Sequence, residues 1–221
     1  MRQTENSDPG RGLLLRLLVS GIVLAVWFWT QSLVGARTAP SSGIGDGLHN
    51  LTAGLNSYFA QNAGAANALL VASSALIDAL GLFLLGRWLF GESVRPFLGL
   101  FLLMTLRQLM QSICALPPPP NMIWHYPGFP SLLVTYHVAN DFFFSGHTAI
   151  AVFGAKELSR LHRNWLTAAA VVLVFFEVAT VLILREHYTM DVCTGIFAAL
   201  WVARLTERIS PPLDHFLSPK N

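Results

Sequence analysis

Charged residues are scarce in this chain. Asp, Glu, Lys and Arg make up 12% of its 221 residues, whereas hydrophobic residues make up 53%. A soluble domain typically carries about 25% charged residues. The mean hydropathy is +0.52. This composition indicates a membrane protein, and the length suits one compact domain.

Basic clusters and extended sets of cysteines are also lacking. The net charge is only +2, and no run of Lys and Arg exists to contact a phosphate backbone, so a nucleic-acid partner is excluded. The two cysteines, Cys114 and Cys193, lie in apolar stretches and are interpreted as small hydrophobic residues, so they do not indicate a redox compartment. No internal repeat and no separate second domain are found.

Long apolar stretches are abundant instead, and they predict an all-α, polytopic membrane protein. A helix that crosses a bilayer needs about 20 mainly apolar residues. The predicted spans are Leu13–Val34, Ala65–Leu89, Phe97–Leu116, Phe142–Leu158, Trp165–Leu184 and Tyr188–Leu205. The first could be a cleaved signal peptide, but its apolar stretch is longer than the usual core of such signals, so we expect a retained anchor.

The predicted organisation is therefore a tail (1–12), a six-helix membrane domain (13–209) and a second tail (210–221). Between the first two spans, apolar residues of Leu48–Ala60 share one helical face, which predicts a short interfacial helix, with an ordinary loop as the alternative. The loop 117–140 begins with four prolines, which cannot continue a helix. It then carries aromatic residues suited to the boundary between water and lipid: Trp124, Tyr126, Phe129 and Tyr136.

Lys and Arg are distributed unevenly among the predicted loops. Cytoplasmic loops are enriched in these residues, and placing both termini inside leaves only Arg37 and Arg185 in the outer loops. His147, His187 and Asp191 then all lie near the outer leaflet. Arg107 lies roughly 13 Å from the outer end of its span, at 1.5 Å per residue, and can face the same space.

Two motifs place ionisable residues at the edges of apolar stretches, where they are costly to bury and are candidates for function. One is Asp141-Phe-Phe-Phe-Ser-Gly-His147-Thr, and the other is His187-Tyr-Thr-Met-Asp191. In a helix, His187 and Asp191 lie one turn apart on one face. A carboxylate there can fix the imidazole tautomer and leave the other nitrogen as a nucleophile.

A phosphoryl group could then pass through a covalent phosphohistidine. His147 can protonate the departing oxygen as general acid. Arg107 and Arg185 can hold phosphate oxygens, because a guanidinium matches that geometry. Ser145, Gly146 and Thr148 can contribute short donors where the backbone approaches the phosphate.

Structural interpretations stand beside these functional ones. A His–Asp pair one turn apart is commonly a structural hydrogen bond, and Arg107 could neutralise Glu177 or Asp78, which we expect to be structural partners. A metal site is not predicted, because the pair lacks further ligands at a suitable spacing. The remaining histidines are expected at the surface or the interface: His49, His125, His137, His162 and His215.

The two motifs together resemble the type-2 phosphatidic acid phosphatase superfamily. More narrowly, they resemble its sphingomyelin synthase branch and the plant phosphatidylcholine:diacylglycerol cholinephosphotransferases. The resemblance runs from about Phe97 to Arg204, within a predicted catalytic core of 97–204. It implies His187 as nucleophile, Asp191 as its orienting group and His147 as acid. Asp141, which matches an aspartate of the synthase motif, and Tyr188 are expected to contact the head group or to support the site.

The sequence departs from the phosphatase branch at its phosphate clamp. That branch has a lysine ahead of an Arg-Pro pair, whereas Trp88 stands at the lysine's place before Arg95-Pro96. The predicted topology also puts Arg95 on the cytoplasmic side, away from the histidines. The phosphatase branch also has a Ser-Arg pair at its usual spacing before the residue that His187 matches, and this sequence lacks it. Both departures count against a simple phosphatase. Asn140 replaces a glycine of the synthase motif, which leaves the head group undetermined.

The expected function is transfer of phosphocholine, or a related phospho-head group, from a glycerophospholipid to diacylglycerol or ceramide. The expected partners are a membrane phospholipid donor and a lipid alcohol acceptor, with no cofactor. A bilayer-level site can exclude water, which favours transfer over hydrolysis. The alternatives are a lipid phosphate phosphatase with water as acceptor and, in another class, a lipid transporter or scramblase.

Overall fold

The computed structural model describes residues 18, 22, 25, 26, 28, 29, 32, 33, 43–114, 116–134, 136 and 142–217. The chain divides into two compact units, residues 1–45 and 46–221. Of the first predicted span, 13–34, residues 18, 22, 25, 26, 28, 29, 32 and 33 are described and the others are not.

The regular elements in the described part of the second unit are all helices, with no strand among them, so the predicted all-α class is confirmed there. Its helices are α1 (Gly47–Leu51), α2 (Ala53–Gln61), α3 (Ala63–Leu89), α4 (Arg95–Ile113), α5 (Gly146–Ser159), α6 (Asn164–Ile183) and α7 (Thr189–Leu217). Four of them are long and apolar enough to cross a membrane, namely α3, α4, α6 and α7. The protein is an integral membrane protein.

The predicted count of six spans is not confirmed. The motif helix α5 has 14 residues, about 21 Å at 1.5 Å per residue, which is shorter than a hydrocarbon core of about 30 Å. It is short because Ser145 caps it by accepting a hydrogen bond from the Thr148 amide. Phe142–Phe144, which the sequence assigned to a span, precede the helix, and Phe143 has a positive φ of 87°.

The helix α5 lies at the centre of the packing and contacts α3, α4, α6 and α7. One core cluster joins Leu84, Leu103 and Phe153 to the small residues of α7, and Gly99 leaves the space that the Phe153 ring fills. A second joins α3 and α5 to Val134 and Tyr136 of the proline-rich loop. This packing fixes the N-terminus of α5 against the start of α7.

The segment after Gly45 forms two short helices rather than one. The helix is interrupted at Thr52, which separates α1 from α2, and Asn62 alone separates α2 from α3. The interfacial position predicted for Leu48–Ala60 is not confirmed. The last helix runs to Leu217, past the predicted domain boundary at 209, and includes Pro211 and Pro212.

Candidate active site

The second motif forms the connection between α6 and α7. Nδ1 of His187 lies 3.3 Å from Oδ2 of Asp191, and the Tyr188 amide donates to the same oxygen at 3.0 Å. Asp191 is fully buried and His187 is nearly so. The pairing leaves Nε2 of His187 available on the other side of the ring.

A sharp reversal of the backbone brings His187 to the end of α6. The amides of Glu186 and His187 both donate to the carbonyl of Val181, and Arg185 adopts a positive φ of 57°. The Arg185 guanidinium holds this turn from outside, donating to the carbonyls of Pro120 at 2.7 Å and His49 at 3.3 Å. Arg185 is therefore engaged by backbone carbonyls and does not line the cavity described below.

The first motif brings His147 to the same place from α5. The Ser145 amide donates to the carbonyl of Asp191 at 3.1 Å, which ties the start of α5 directly to the second motif. Gly195 permits this contact, because a Cβ there would lie 2.7 Å from the carbonyl oxygen of Ser145. Ser145 and Thr148 are buried and bond to each other, so they fix the helix start rather than face the cavity.

One cavity of about 600 Å³ collects the reactive side chains. His147, His187, Arg107 and Gly146 line it, and a Cβ on Gly146 would lie 3.2 Å from Nε of Arg107. Three separate parts of the fold thus contribute: α4, the start of α5 and the turn between α6 and α7. Gly146 and His147 are the first two residues of α5, and a helix N-terminus favours anions.

A carboxyl group and aromatic rings also line the cavity. Glu186 and Trp124 line it together with Phe142. Trp124 stands edge-on to His147 with ring centroids 6.0 Å apart, and Phe142 stands edge-on to His187 at 6.1 Å. Both carboxyl oxygens of Glu186 are buried without a hydrogen-bond partner among the described residues. Burial, with a smaller contribution from the charge of Glu177, raises the pKa of Glu186 well above its ordinary value.

The apolar remainder of the cavity extends along α3, α4 and α5. Its lining there is Ile77, Met104, Leu133, Val134 and Ile150.

Two acidic residues that the sequence predicted to be structural have hydrogen-bond partners. Asp78 accepts from Ser131 and from the Leu132 and Leu133 amides, while Glu177 accepts from Ser73 at 2.7 Å.

The structure gathers some of the predicted site residues and separates others. His147, His187, Arg107 and Gly146 line the cavity, and Asp191 stands behind His187. Tyr188 is buried behind the turn, where its hydroxyl donates to the Pro117 carbonyl at 3.1 Å. Burial, together with the charges of Asp191 and Asp46, raises the Tyr188 pKa, so the phenol stays a donor. Asp141 lies outside the described residues.

Sequence reasoning missed Glu186, Trp124 and His49. Glu186 stands beside the His187 motif at the edge of an apolar stretch, and that position could have marked it as a candidate. Trp124 was taken for an interfacial anchor. His49, expected at the surface or the interface, is 4% exposed, and its Nε2 lies 2.9 Å from the His187 carbonyl oxygen. Its burial depends on a contact 138 residues away, which no local pattern reports.

The family model described as AtPDCT1/2 matches residues 46–208, which include every described side chain of the cavity. The chain belongs to the AtPDCT1/2 family. Phosphatidylcholine:diacylglycerol cholinephosphotransferase 1 of Arabidopsis thaliana is 23% identical over 172 residues, which cover 78% of this chain and 54% of that protein. The chain thus spans about half the length of the curated relative it matches. No solved structure matches.

The AtPDCT1/2 family match begins at Asp46, the residue at which the second compact unit begins. It confirms the plant-transferase branch named from the two motifs. Arg95 of the Arg-Pro pair lies at the opposite end of α4 from Arg107, about 18 Å away along the helix. Its guanidinium pairs with Glu157 through two contacts of 3.0 Å. Arg95 therefore belongs to a separate cluster.

Proposed function

We propose that this protein transfers phosphocholine from a glycerophospholipid to a lipid alcohol, diacylglycerol or ceramide, through a phosphohistidine on His187. The observation that carries the proposal is the convergence of His147, His187 and Arg107 on one cavity, with Asp191 buried behind His187. Membership of the AtPDCT1/2 family supports head-group transfer as the reaction class.

In the first step, Nε2 of His187 attacks the phosphorus of the donor lipid. The Nδ1 proton stays on the side of Asp191, which supports the charge that develops on the ring. Burial and the charges of His187 and Arg107 lower the pKa of His147. The anionic phosphate of the bound donor favours the protonated imidazole, which takes up a proton as the donor binds. As the P–N bond forms, the bond between phosphorus and the diacylglycerol oxygen breaks, and His147 gives this proton to that oxygen. Diacylglycerol leaves, and phosphocholine remains on His187.

In the second step, the hydroxyl of the acceptor lipid attacks the same phosphorus. His147, now neutral, takes the hydroxyl proton, and the P–N bond breaks with its electron pair returning to Nε2. The proton given up in the first step is thereby recovered. Arg107 and the first turn of α5 stabilise the phosphate oxygens during both steps.

The carboxyl group and the aromatic rings that line the cavity suit a positively charged head group. Glu186 provides a carboxyl group without a hydrogen-bond partner among the described residues. A quaternary ammonium is attracted to aromatic faces, and Trp124 and Phe142 supply them. A cation that enters this space favours the ionised form of Glu186, which offsets part of the cost of burying the charge.

Labelled phosphatidylcholine supplied to the purified protein tests the proposal. Label should appear on the protein without acceptor and move into a second lipid when diacylglycerol or ceramide is added. His187→Ala should abolish both signals, whereas His215→Ala, a change at an exposed histidine near the end of α7, should leave them intact.

Other outcomes of this assay would replace the proposal. Release of phosphocholine or phosphate at the same rate with and without acceptor would make the protein a hydrolase. Lipid movement that persists in His187→Ala, with no covalent phosphoprotein, would make it a transporter or scramblase.

We also propose that both termini are cytoplasmic and that the cavity opens toward the non-cytoplasmic leaflet. Lys and Arg fall mostly in the loops opposite the histidines. Asn50 is exposed and adjoins His49, which contacts the His187 turn. A cysteine introduced as Asn50→Cys should react with an impermeant maleimide from the non-cytoplasmic side, and reaction from the cytoplasm alone would reverse the orientation.

A further inference from the structure

The segment Asp46–Gln61, called the clamp segment here, contacts the turn that carries His187 through polar side chains. Asp46 accepts hydrogen bonds from the Thr189 amide and the Thr189 hydroxyl, each at 2.6 Å. The same carboxylate caps α1 through the amides of Leu48 and His49. One side chain thereby joins the start of α1 to the start of α7.

Two further residues of the clamp segment contact the turn. His49 stacks on Tyr188 with ring centroids 5.7 Å apart, and its Nε2, when protonated, donates to the His187 carbonyl. Asn56, which is 3% exposed, donates to the carbonyls of Ile183 at 2.9 Å and Asn121 at 3.3 Å. Together with Asp46 they contact the turn at 183, 187 and 189.

The other face of the clamp segment is apolar and exposed. Leu51 is 81% exposed and Leu55 is 51% exposed, with Leu48 and Tyr58 exposed on the same side. The buried residues His49 and Asn56 are polar, whereas the large apolar side chains Leu48, Leu51, Leu55 and Tyr58 are exposed, together with the uncharged residues Asn50 and Ser57. Only Asn62 separates α2 from the membrane-crossing helix α3, so α2 ends at the level where a span meets the lipid head groups.

We infer that the clamp segment is seated on the lipid head-group layer by its apolar face and positions the nucleophile by its polar face. The inference takes His187 as the nucleophile and so rests on the function proposed above. Asp46, His49 and Asn56 are positioning residues, because each acts through the backbone of the turn. The partner is lipid, because the segment that carries the exposed leucines continues directly into a span. The exposed face of this segment carries no charge that would suit a soluble partner.

The physical role of the clamp is to restrict the turn. Among the described residues, the His187 side chain has one hydrogen bond, the 3.3 Å contact to Asp191, so its ring direction depends on where the backbone of 187–189 lies. Burial raises the pKa of Asp46, but the hydrogen bonds from Thr189 and His49 outweigh it and lower the pKa overall. The carboxylate therefore accepts these bonds in its ionised form across the neutral range.

The first experiment replaces Asp46 in the full-length protein reconstituted in phosphatidylcholine vesicles. Asp46→Ala should lower kcat about 100-fold, the loss expected for a displacement of the reacting group by about 1 Å, and leave KM unchanged. Asp46→Asn should recover most of the loss, because its amide oxygen still accepts from the Thr189 amide. Asp214→Ala is the matched control, a carboxylate that accepts from Ser93 and Val94 elsewhere in the bundle.

Hydrogen exchange at the Thr189 amide provides a readout that does not need activity. Asp46→Ala should speed this exchange while exchange within α3 and α6 stays as in the parent protein. Unchanged exchange at Thr189 would overturn the positioning role. A raised KM and a lowered kcat, accompanied by faster exchange throughout the bundle, would also overturn it. If the parent protein shows no transfer but Thr189 responds as expected, the proposed function fails and the clamp stands.

A spin label tests the membrane contact separately. It is attached at Leu51→Cys in a background with Cys114→Ser and Cys193→Ser, and collisions with oxygen and with a water-soluble relaxing agent are compared in vesicles. Oxygen should dominate at Leu51, as at a lipid-facing control, Phe197→Cys on α7, which is 70% exposed in the parent. Dominance of the water-soluble agent at Leu51 would place the face in water and end the lipid assignment.

Discussion

At the scale of single residues, one oxygen atom of Asp191 contacts two groups of the site. Oδ2 of Asp191 faces both the His187 ring and the Tyr188 amide, so it sets the ring direction and the start of α7 together. Asp191 is fully buried, and its other oxygen has no hydrogen-bond partner among the described residues. Burial of this carboxylate costs free energy, and its proposed function in the site is to orient the His187 imidazole.

Asp191→Asn should leave the protein folded and lower kcat about 10⁴-fold, as when the orienting carboxylate of a catalytic triad is replaced. The amide can still accept from the Tyr188 amide, but it no longer stabilises the tautomer and charge that His187 needs. Single-turnover labelling of the protein by phosphatidylcholine measures the effect. A loss below tenfold would show that Asp191 is a structural partner only.

The raised pKa of Glu186 predicts how the affinity for the donor lipid depends on pH. Burial and the nearby Glu177 raise its pKa, so the empty site holds a proton that must leave before the carboxylate can face a cation. The KM for phosphatidylcholine should therefore fall as pH rises through the raised pKa. Glu186→Gln should give a higher KM that no longer changes with pH in this range, and a pH-dependent KM in this variant would assign the effect to another group.

The same raised pKa has a consequence for stability. Between an unfolded pKa of about 4.3 and the raised folded value, the folded protein keeps a proton that the unfolded chain has released. Glu186 therefore makes the protein less stable as pH rises through this window. Glu186→Gln should flatten that part of the dependence of the thermal midpoint on pH, measured in detergent.

At the scale of elements, the short helix α5 decides where the first histidine lies. Its sequence reads as the continuation of an apolar stretch from Phe142, but the Ser145 cap starts the helix just before His147. Because α5 contacts four other helices, its start cannot move independently of α4 and α7. The close approach of α5 to α7 at Gly195 holds the two motifs at a fixed distance from each other.

Gly195→Ala should push these two elements apart. The added methyl would meet the Ser145 carbonyl oxygen at 2.7 Å, and a backbone atom cannot swing away as a flexible side chain can. We expect an overpacking cost of about 1–3 kcal/mol in stability and a loss of activity that exceeds it, because His147 shifts relative to His187.

Gly86→Ala in α3, where nothing lies within 4 Å of an added Cβ, is the control and should stay near parent activity. Equal thermal midpoints and rates for Gly195→Ala and the parent would contradict the constraint. Thermal denaturation and the transfer assay on the same preparations make the comparison.

At the scale of the whole molecule, a charged cluster holds together the end of the bundle opposite the histidines. Glu157 of α5 pairs with Arg95 of α4 and with Arg160, which also pairs with Glu207 of α7. Glu157 is 1% exposed, so it is a buried carboxylate that two guanidiniums neutralise. The cluster fixes three helices at one end while the cavity forms at the other.

Glu157→Gln should cost about 3 kcal/mol of stability, because removing one partner of a buried ion pair leaves the others uncompensated. The kcat of the folded protein should be unchanged, because Glu157 lies ten residues along α5 from His147, about 15 Å at 1.5 Å per residue, and the cluster does not line the cavity. Arg204 is an exposed arginine that pairs with Glu207, and Arg204→Ala should cost less than about 1 kcal/mol. Thermal midpoints of the two variants that do not differ would contradict this ranking.

The sequence by itself determined the membrane character, the helical class and the motif pair. These follow from local patterns, because apolar stretches set span length and each motif occupies a short stretch of the chain. The four-residue spacing predicted one helical face for His187 and Asp191. His187 instead lies in the turn before α7 and contacts Asp191 from there. The bounds predicted for α3 and α6 lie within two residues of those observed. The motifs also identified the transferase branch that the family match confirms.

Only the tertiary structure decided which other groups face the reacting atoms. Arg185 adjoins the His187 motif, yet its guanidinium turns to the carbonyls of Pro120 and His49, while Glu186 beside it faces the cavity. His49 and Asp46 reach the turn from more than 130 residues away. Such contacts depend on how helices distant in sequence pack, and no local periodicity encodes them.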